Sequence, residues 1–417
     1  MENKRSIPKE AWFILISVWM IQFFCQIETF GYGVMMQGIM ADTGTAYATM
    51  GNIAGVGGWL TVILTIPISI IAVRLNPKFS ISIVAIITAI GMYIYGHASS
   101  ISMLYLGKVL THCLQQVLAT VLVTLKVRGV PGERITEING IENFIGPLGQ
   151  TLATLILASI LFAIGGWRNV YTYCAIGVII FGIVHFFAYG NGKGLIYAPA
   201  SPSKNANGGK ESLGLKETWS KKEVWAVSIA WPGLTIAWMA MYYYWPSYAT
   251  NYLGMSLGQT GIVIAMIPIF SAIGSLTAPI VSKKIGRDKP IIIVGAFLLA
   301  VSYFLMMKIT NYGGLIIVAA VAGYMGYVIV PPAFSIVYKI GLSQKGTSLA
   351  YSTIMTFLSI GSAIAGTVIG ALIGATDLQN GLTIASVTPL WFVVIGLIFF
   401  PELGSKRMAE LMGKTQS

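Results

Sequence analysis

Apolar residues run through this chain in blocks of about twenty or more, with short polar interruptions between them. Twelve blocks can be marked, at 11–37, 47–73, 80–97, 101–126, 138–164, 168–190, 223–250, 257–282, 290–308, 314–339, 347–373 and 380–400. A helix of about 20 mostly apolar residues crosses the hydrocarbon layer of a bilayer. Runs of this length satisfy their backbone hydrogen bonds in lipid only as helices. The expected fold is therefore all-α, with twelve transmembrane helices. Asn76-Pro77-Lys78 separates the second block from the third, and Gly165-Gly166-Trp167-Arg168 separates the fifth from the sixth. Such short turns make neighbouring helices antiparallel.

One polar stretch, 191–222, is much longer than the rest. It holds Ser201-Pro202-Ser203-Lys204-Asn205-Ala206-Asn207-Gly208-Gly209-Lys210 and reads as a flexible cytoplasmic linker. The expected domains are a six-helix bundle over 1–190, this linker, and a second six-helix bundle over 223–417 with a short cytoplasmic tail. An internal repeat supports the division. Val73-Arg74-Leu75-Asn76-Pro77-Lys78 follows the second block, and Lys283-Lys284-Ile285-Gly286-Arg287-Asp288 follows the eighth. Gly51 and Gly261 open those two blocks at matching offsets. Duplicated halves with a binding site between them near the midplane are a frequent transporter plan.

Composition excludes a soluble protein. Of 417 residues, 56% are hydrophobic and 10% charged, and mean hydropathy is +0.77. Soluble chains carry about 25% charged residues. The net charge of +12 does not imply a nucleic-acid partner, because the cations lie in short clusters between apolar blocks. With the N-terminus inside, only Lys108, Arg168 and Lys308 of the 26 Lys and Arg fall outside the inner loops. That asymmetry places both termini in the cytoplasm and the protein in the cell membrane. Cys25, Cys113 and Cys174 lie inside apolar blocks and show no metal or disulfide spacing. No cofactor is expected.

The twelve blocks, the six-plus-six split and the basic loops after blocks two and eight resemble the major facilitator superfamily. The likeness covers essentially the whole chain. In Pro279-Ile280-Val281-Ser282-Lys283-Lys284-Ile285-Gly286-Arg287-Asp288-Lys289, the residues Lys284, Gly286, Arg287 and Lys289 match the family's inner-loop motif. Arg74 lies in the first-half copy. The motif's acidic position is Lys283 here and Val73 in the first copy, so its ion-pair latch lacks its acid. Gly146-Pro147-Leu148-Gly149 resembles the Gly-Pro element of antiporter members, and Gly166-Trp167-Arg168 is also seen in relatives. The resemblance implies alternating access around a central cavity lined by spans one, four, seven and ten. Small residues four apart, Gly51 with Gly55 and Gly366 with Gly370 and Gly374, suit helices that slide or simply pack closely.

Ionisable groups inside the membrane are expensive and so point to function. Away from span ends these are Glu28, Lys108 and His112. Glu142 and His185 fall near the inner surface and are expected to be solvated or snorkelling. Lys108, Thr111, His112 and Gln115 recur at three- and four-residue spacing, one helical face. On span one, Cys25, Glu28 and Tyr32 share a face. Three readings stay open: a static Glu28–Lys108 ion pair, an organic anion on Lys108 with a proton on Glu28 or His112, or an organic cation on Glu28. Burial disfavours the charged form of a carboxylate in general, which is what a proton-coupling group needs.

The second half is aromatic instead. Span seven has Trp231, Trp238, Tyr242 and Trp245, and span ten has Tyr324, Tyr327 and Tyr338 around Pro331-Pro332. Trp245 and Tyr248 are expected as interface anchors. Trp238, Tyr242 and Tyr327 lie deeper and are expected to contact the solute through ring faces or polar tips. Gly254-Met255-Ser256-Leu257-Gly258 fits a hydrolase pattern but falls in a short loop between helices, so no enzyme is expected. The reading that results is a monomeric secondary transporter of a small organic anion, a carboxylate, coupled to protons or counter-solute. Its alternatives are a multidrug or metabolite exporter driven by proton antiport, and a carrier of an organic cation. A sensor or a channel fits less well, given the lack of a soluble output domain and the mid-membrane charges.

Overall fold

The computed structural model describes residues 6–72, 75–131, 134–161, 163–197 and 215–402. Every regular element among them is a helix. The N-terminal part comprises α1 (Lys9–Thr43), α2 (Tyr47–Ala72), α3 (Pro77–Gly96), α4 (Ile101–His112), α5 (Gln115–Gly129), α6 (Ile135–Thr151), α7 (Leu157–Ile160) and α8 (Trp167–Tyr189). A short helix α9 (Leu215–Trp219) precedes α10 (Lys222–Asn251), α11 (Leu257–Ile285), α12 (Asp288–Met306) and α13 (Tyr312–Val328). The last elements are α14 (Val330–Lys339), α15 (Gln344–Ala375), α16 (Leu378–Val387) and α17 (Pro389–Phe399). Among the described residues, eleven helical stretches are long and apolar enough to cross a membrane, and a shorter apolar stretch covers Ile145–Ile160. This last falls in the fifth block of the sequence.

Local chemistry sets the helix starts. Asn76 accepts a hydrogen bond from the Lys78 N–H, with Pro77 in the first turn of α3. Ser256 and Gln259 form a reciprocal capping box at α11. Asp377 accepts from the Asn380 N–H to start α16. Four blocks are broken along their length. The fourth splits at Cys113–Leu114 into α4 and α5, and the fifth carries a π turn at Leu152–Ile156 between α6 and α7. The tenth bends at Ile329, next to Pro331 and Pro332, into α13 and α14, and the twelfth is broken at Thr388, just before Pro389, into α16 and α17. The prolines account for the last two of these breaks, since they lack the N–H of the helical ladder.

The described residues form two compact units, one within 1–45 and 59–210 and the other within 46–58 and 211–417. In the first, α8 packs along both α1 and α3, and α3 also packs on α4. The approach of α3 to α4 is very close: a Cβ on Gly107 would sit 2.8 Å from the Gly91 carbonyl oxygen. Only glycine allows it, and this contact fixes the depth at which α4 presents Lys108. In the second unit, α10 packs on α15 and α17, and α11 on α13.

Two expectations about depth are corrected here. His185 is fully buried, not solvated. Its Nδ1 lies 3.0 Å from the Ser17 hydroxyl, which itself donates to the Ile14 carbonyl. Trp245 and Tyr248 are buried rather than anchored at an interface: Trp245 Nε1 donates to the Met306 carbonyl and Tyr248 OH to that of Met307. Helix α12 ends against α10 and supplies those carbonyls. Glu142 pairs with Lys126 at 2.7 Å.

Candidate functional site

Within the first unit, α1 and α4 bring three ionisable groups together. Lys108 Nζ donates to Glu28 Oε1 at 2.6 Å, and both side chains are almost completely buried. His112, one turn further along α4, places Nε2 3.3 Å from Glu28 Oε2, in ion-pair range but off the line of a hydrogen bond. The carboxylate also accepts from Thr29 Oγ1 at 3.2 Å and from the Tyr171 hydroxyl at 3.5 Å. Lys108 Nζ lies 5.1 Å from the centroid of the Tyr32 ring, a cation–π distance. Tyr32 is itself fully buried. Gln115, at the first turn of α5, neighbours both His112 and Cys25.

Behind this cluster stands an aromatic wall. Tyr95 of α3 stacks on Tyr171 of α8 with centroids 4.4 Å apart, and Trp167 meets both edge-on. This wall orients the Tyr171 hydroxyl towards Glu28. The sequence offered no sign of it, since Tyr95 and Tyr171 stand among apolar residues on helices far apart in the chain. Thr111, assigned with Lys108 to a polar face, instead donates to the Gly107 carbonyl and packs against α3. The stripe is further divided by the break after His112, which moves Gln115 onto a new helix.

The physical balance is clear. Two charges taken from water lose several kcal/mol each, and this is recovered only by close pairing and full hydrogen bonding. Glu28 accepts from three donors, Lys108, Thr29 and Tyr171, and has His112 Nε2 3.3 Å from Oε2. The pair leaves Lys108 with no charge to spare so long as Glu28 is ionised.

In the second unit, Trp238 meets Tyr242 at 5.9 Å and Tyr327 at 6.0 Å between ring centroids, both edge-on. Tyr242 is buried, and Trp238 and Tyr327 are half-buried. The structure thus joins the three deep aromatic residues into one group on α10 and α13. Trp231 belongs to a separate cluster with Phe334 and Phe392.

Of the inner-loop motif, Arg74 lies outside the described residues. Gly286 adopts φ +72° and closes α11, and Lys284 and Arg287 are exposed. The acid of this region is Asp288, four residues beyond Lys284. It is buried at the start of α12, where it accepts from Ser282 Oγ at 2.6 Å and pairs with Lys339 Nζ at 2.5 Å.

The sequence profile of the Major Facilitator Superfamily matches residues 18–340 and, in a second alignment, 231–414. The chain belongs to the major facilitator superfamily. No curated protein is significantly similar to it in sequence. Among solved structures, a bacterial homologue of the human lysosomal transporter Spinster, inward-facing and unoccupied, superposes with a TM-score of 0.79. That pair shares 17% identity over 94% of this chain and 97% of the other. The nucleoside transporter NupG superposes with a TM-score of 0.72 at 16% identity, over 94% and 98% of the two chains. Likeness at this identity shows the fold. Superfamily membership makes the protein a multi-pass membrane protein with a transporter architecture.

Proposed function

We propose that this major facilitator superfamily member is a secondary active transporter of a small organic anion, a carboxylate, working by alternating access in the cytoplasmic membrane. Coupling is to protons or to counter-solute. The carrying observation is the buried Lys108–Glu28 pair with His112 beside it. A carboxylate solute would take the place of the Glu28 carboxylate on Lys108. Glu28, deprived of its cation in a dry site, would then be far better off neutral, so solute and proton would enter together. Tyr32, His112 and Gln115 complete the polar surround. Trp238, Tyr242 and Tyr327 are proposed as solute contacts of the second unit. The two six-helix halves, the cytoplasmic linker, cytoplasmic termini and a monomeric carrier form part of the same proposal.

The aromatic group favours a second reading, an organic cation held by Glu28 and ring faces, or an exporter of such compounds. Thermal unfolding of the purified protein against panels of carboxylates, organic cations and nucleosides separates the two. A ligand at a hundred times its Kd stabilises the folded state by about 2.7 kcal/mol. Carboxylates should raise the melting temperature of the wild type and not of Lys108→Gln. Stabilisation by cations alone, or an undiminished carboxylate response in Lys108→Gln, would refute the anion assignment. Liposome uptake of the stabilising compound, with and without an imposed pH gradient, then reads the coupling.

A further inference from the structure

Helix α11 carries a surface feature that the transport reading does not use. Its outward face bears Ile273, Leu276 and Ile280, of which Leu276 and Ile280 are 77% and 67% exposed. Lys283 and Lys284 follow at three and four residues past Ile280, on the same face. One stripe is therefore apolar for two turns and then cationic. Pro279, Ile280, Lys283 and Lys284 line a groove of about 630 Å³ at this junction.

The cations have no acid of their own among the described residues. Asp288 is consumed by Ser282 and Lys339, and Lys289 is bonded to the Leu397 carbonyl. Lys283, Lys284 and the exposed Arg287 are left unpaired within the described residues. Depth agrees. With 29 residues, α11 is about 43 Å long at 1.5 Å per residue, and the hydrocarbon core is about 30 Å thick. The last turns of the helix therefore stand at headgroup level.

We infer that this groove is a binding site for one anionic glycerophospholipid, with the phosphate on Lys283 and Lys284 and an acyl chain along Ile280 and Leu276. A soluble anion would use the lysines and leave the apolar stripe idle. A zwitterionic lipid would use the stripe but bring a cation to the lysines. Only an amphiphile with net negative charge uses both parts.

The test uses the full chain purified in a mild detergent and titrated with dioleoyl phosphatidylglycerol, with bound lipid read by native mass spectrometry and melting temperature. Phosphatidylglycerol should be retained at least about ten-fold better than phosphatidylcholine. Each lysine near a charged lipid surface contributes about five-fold in affinity, so Lys283→Ala/Lys284→Ala should lose about twenty-five-fold. Because both side chains are exposed and unpaired, that variant should melt with the wild type when no lipid is added. Equal retention by the variant, equal binding of phosphatidylcholine, or equally tight competition by inorganic phosphate would each overturn the assignment. A lipid-free variant that melts well below the wild type would do so too, by showing that the lysines hold structure instead.

Discussion

A single buried carboxylate, Glu28, organises the polar interior of the first unit. Removing one partner of such a pair leaves a buried charge and costs about 3–5 kcal/mol. Glu28→Gln and Lys108→Gln should each lower stability by this order. The double substitution should recover a large part of the loss, and a thermal-unfolding double-mutant cycle measures the coupling. Two independent losses that simply add would mean that the 2.6 Å contact carries no stabilisation. Tyr171→Phe removes one weak donor at 3.5 Å and keeps the stack on Tyr95, so it should change stability by about 1 kcal/mol or less. Glu28 and Lys108 were legible in the sequence because a charge inside an apolar block has few innocent explanations. Tyr171 was illegible, because its neighbour Tyr95 is brought to it by packing and no periodicity records that. His185 was misplaced for a related reason: distance along a helix gives depth, but Ser17 of α1 is what buries it.

Helices join with tolerances that glycine sets. A Cβ on Gly366 would lie 2.6 Å from the Gly51 carbonyl oxygen and 2.7 Å from Gly55 Cα, so the two small-residue ladders of α2 and α15 interlock. Gly366→Ala should destabilise by about 1–3 kcal/mol through overpacking. Gly146, in the Gly-Pro element, meets nothing within 4 Å. Gly146→Ala should therefore be neutral or stabilising, by up to about 1 kcal/mol of helix propensity, in the same unfolding assay. At the start of α15, Glu217 accepts from Ser343 N at 2.6 Å and Ser343 Oγ at 2.7 Å. These bonds hold its carboxyl below the ordinary carboxylate range, the backbone N–H of Ser343 most of all. A lowered native-state value adds stability above the ordinary glutamate value of about 4.3. That contribution disappears as pH falls through the native value. Glu217→Gln should flatten that part of the melting-temperature profile, melting below the wild type at neutral pH and converging with it in acid. Element borders followed hydropathy closely even where no side chain caps the helix start: the block at 168–190 is Trp167–Tyr189, and that at 290–308 is Asp288–Met306. Breaks inside blocks escaped notice where no glycine or proline marks them, as at Cys113 and Leu114.

Across the whole molecule, composition alone made the membrane architecture legible, since 10% charged residues do not solvate 417 residues of soluble fold. The identity of the solute was not legible to the same degree. On the proposed reading it depends on whether Glu28 or Lys108 gives up its partner, and a sequence does not say which partner yields. Orientation is open to direct measurement. Fusion of a fluorescent reporter that matures only in the cytoplasm to the C-terminus should give a bright product, and a periplasmic phosphatase fused there should be inactive. The opposite pattern would reverse the positive-inside assignment.

The break between α4 and α5 falls one residue beyond His112, at a joint that contains no proline. Cys113 still donates to the Val109 carbonyl, and Val117 bonds only three residues back, to Leu114. Pro331, Pro332 and Pro389 make the bends elsewhere permanent, because the missing N–H has no substitute. Here every N–H is present, so the ladder can knit closed or part again with no bond made or lost for good. The buried charges sit beside that joint like weights beside a fulcrum, and whatever reorders them acts on the bend at its shortest arm.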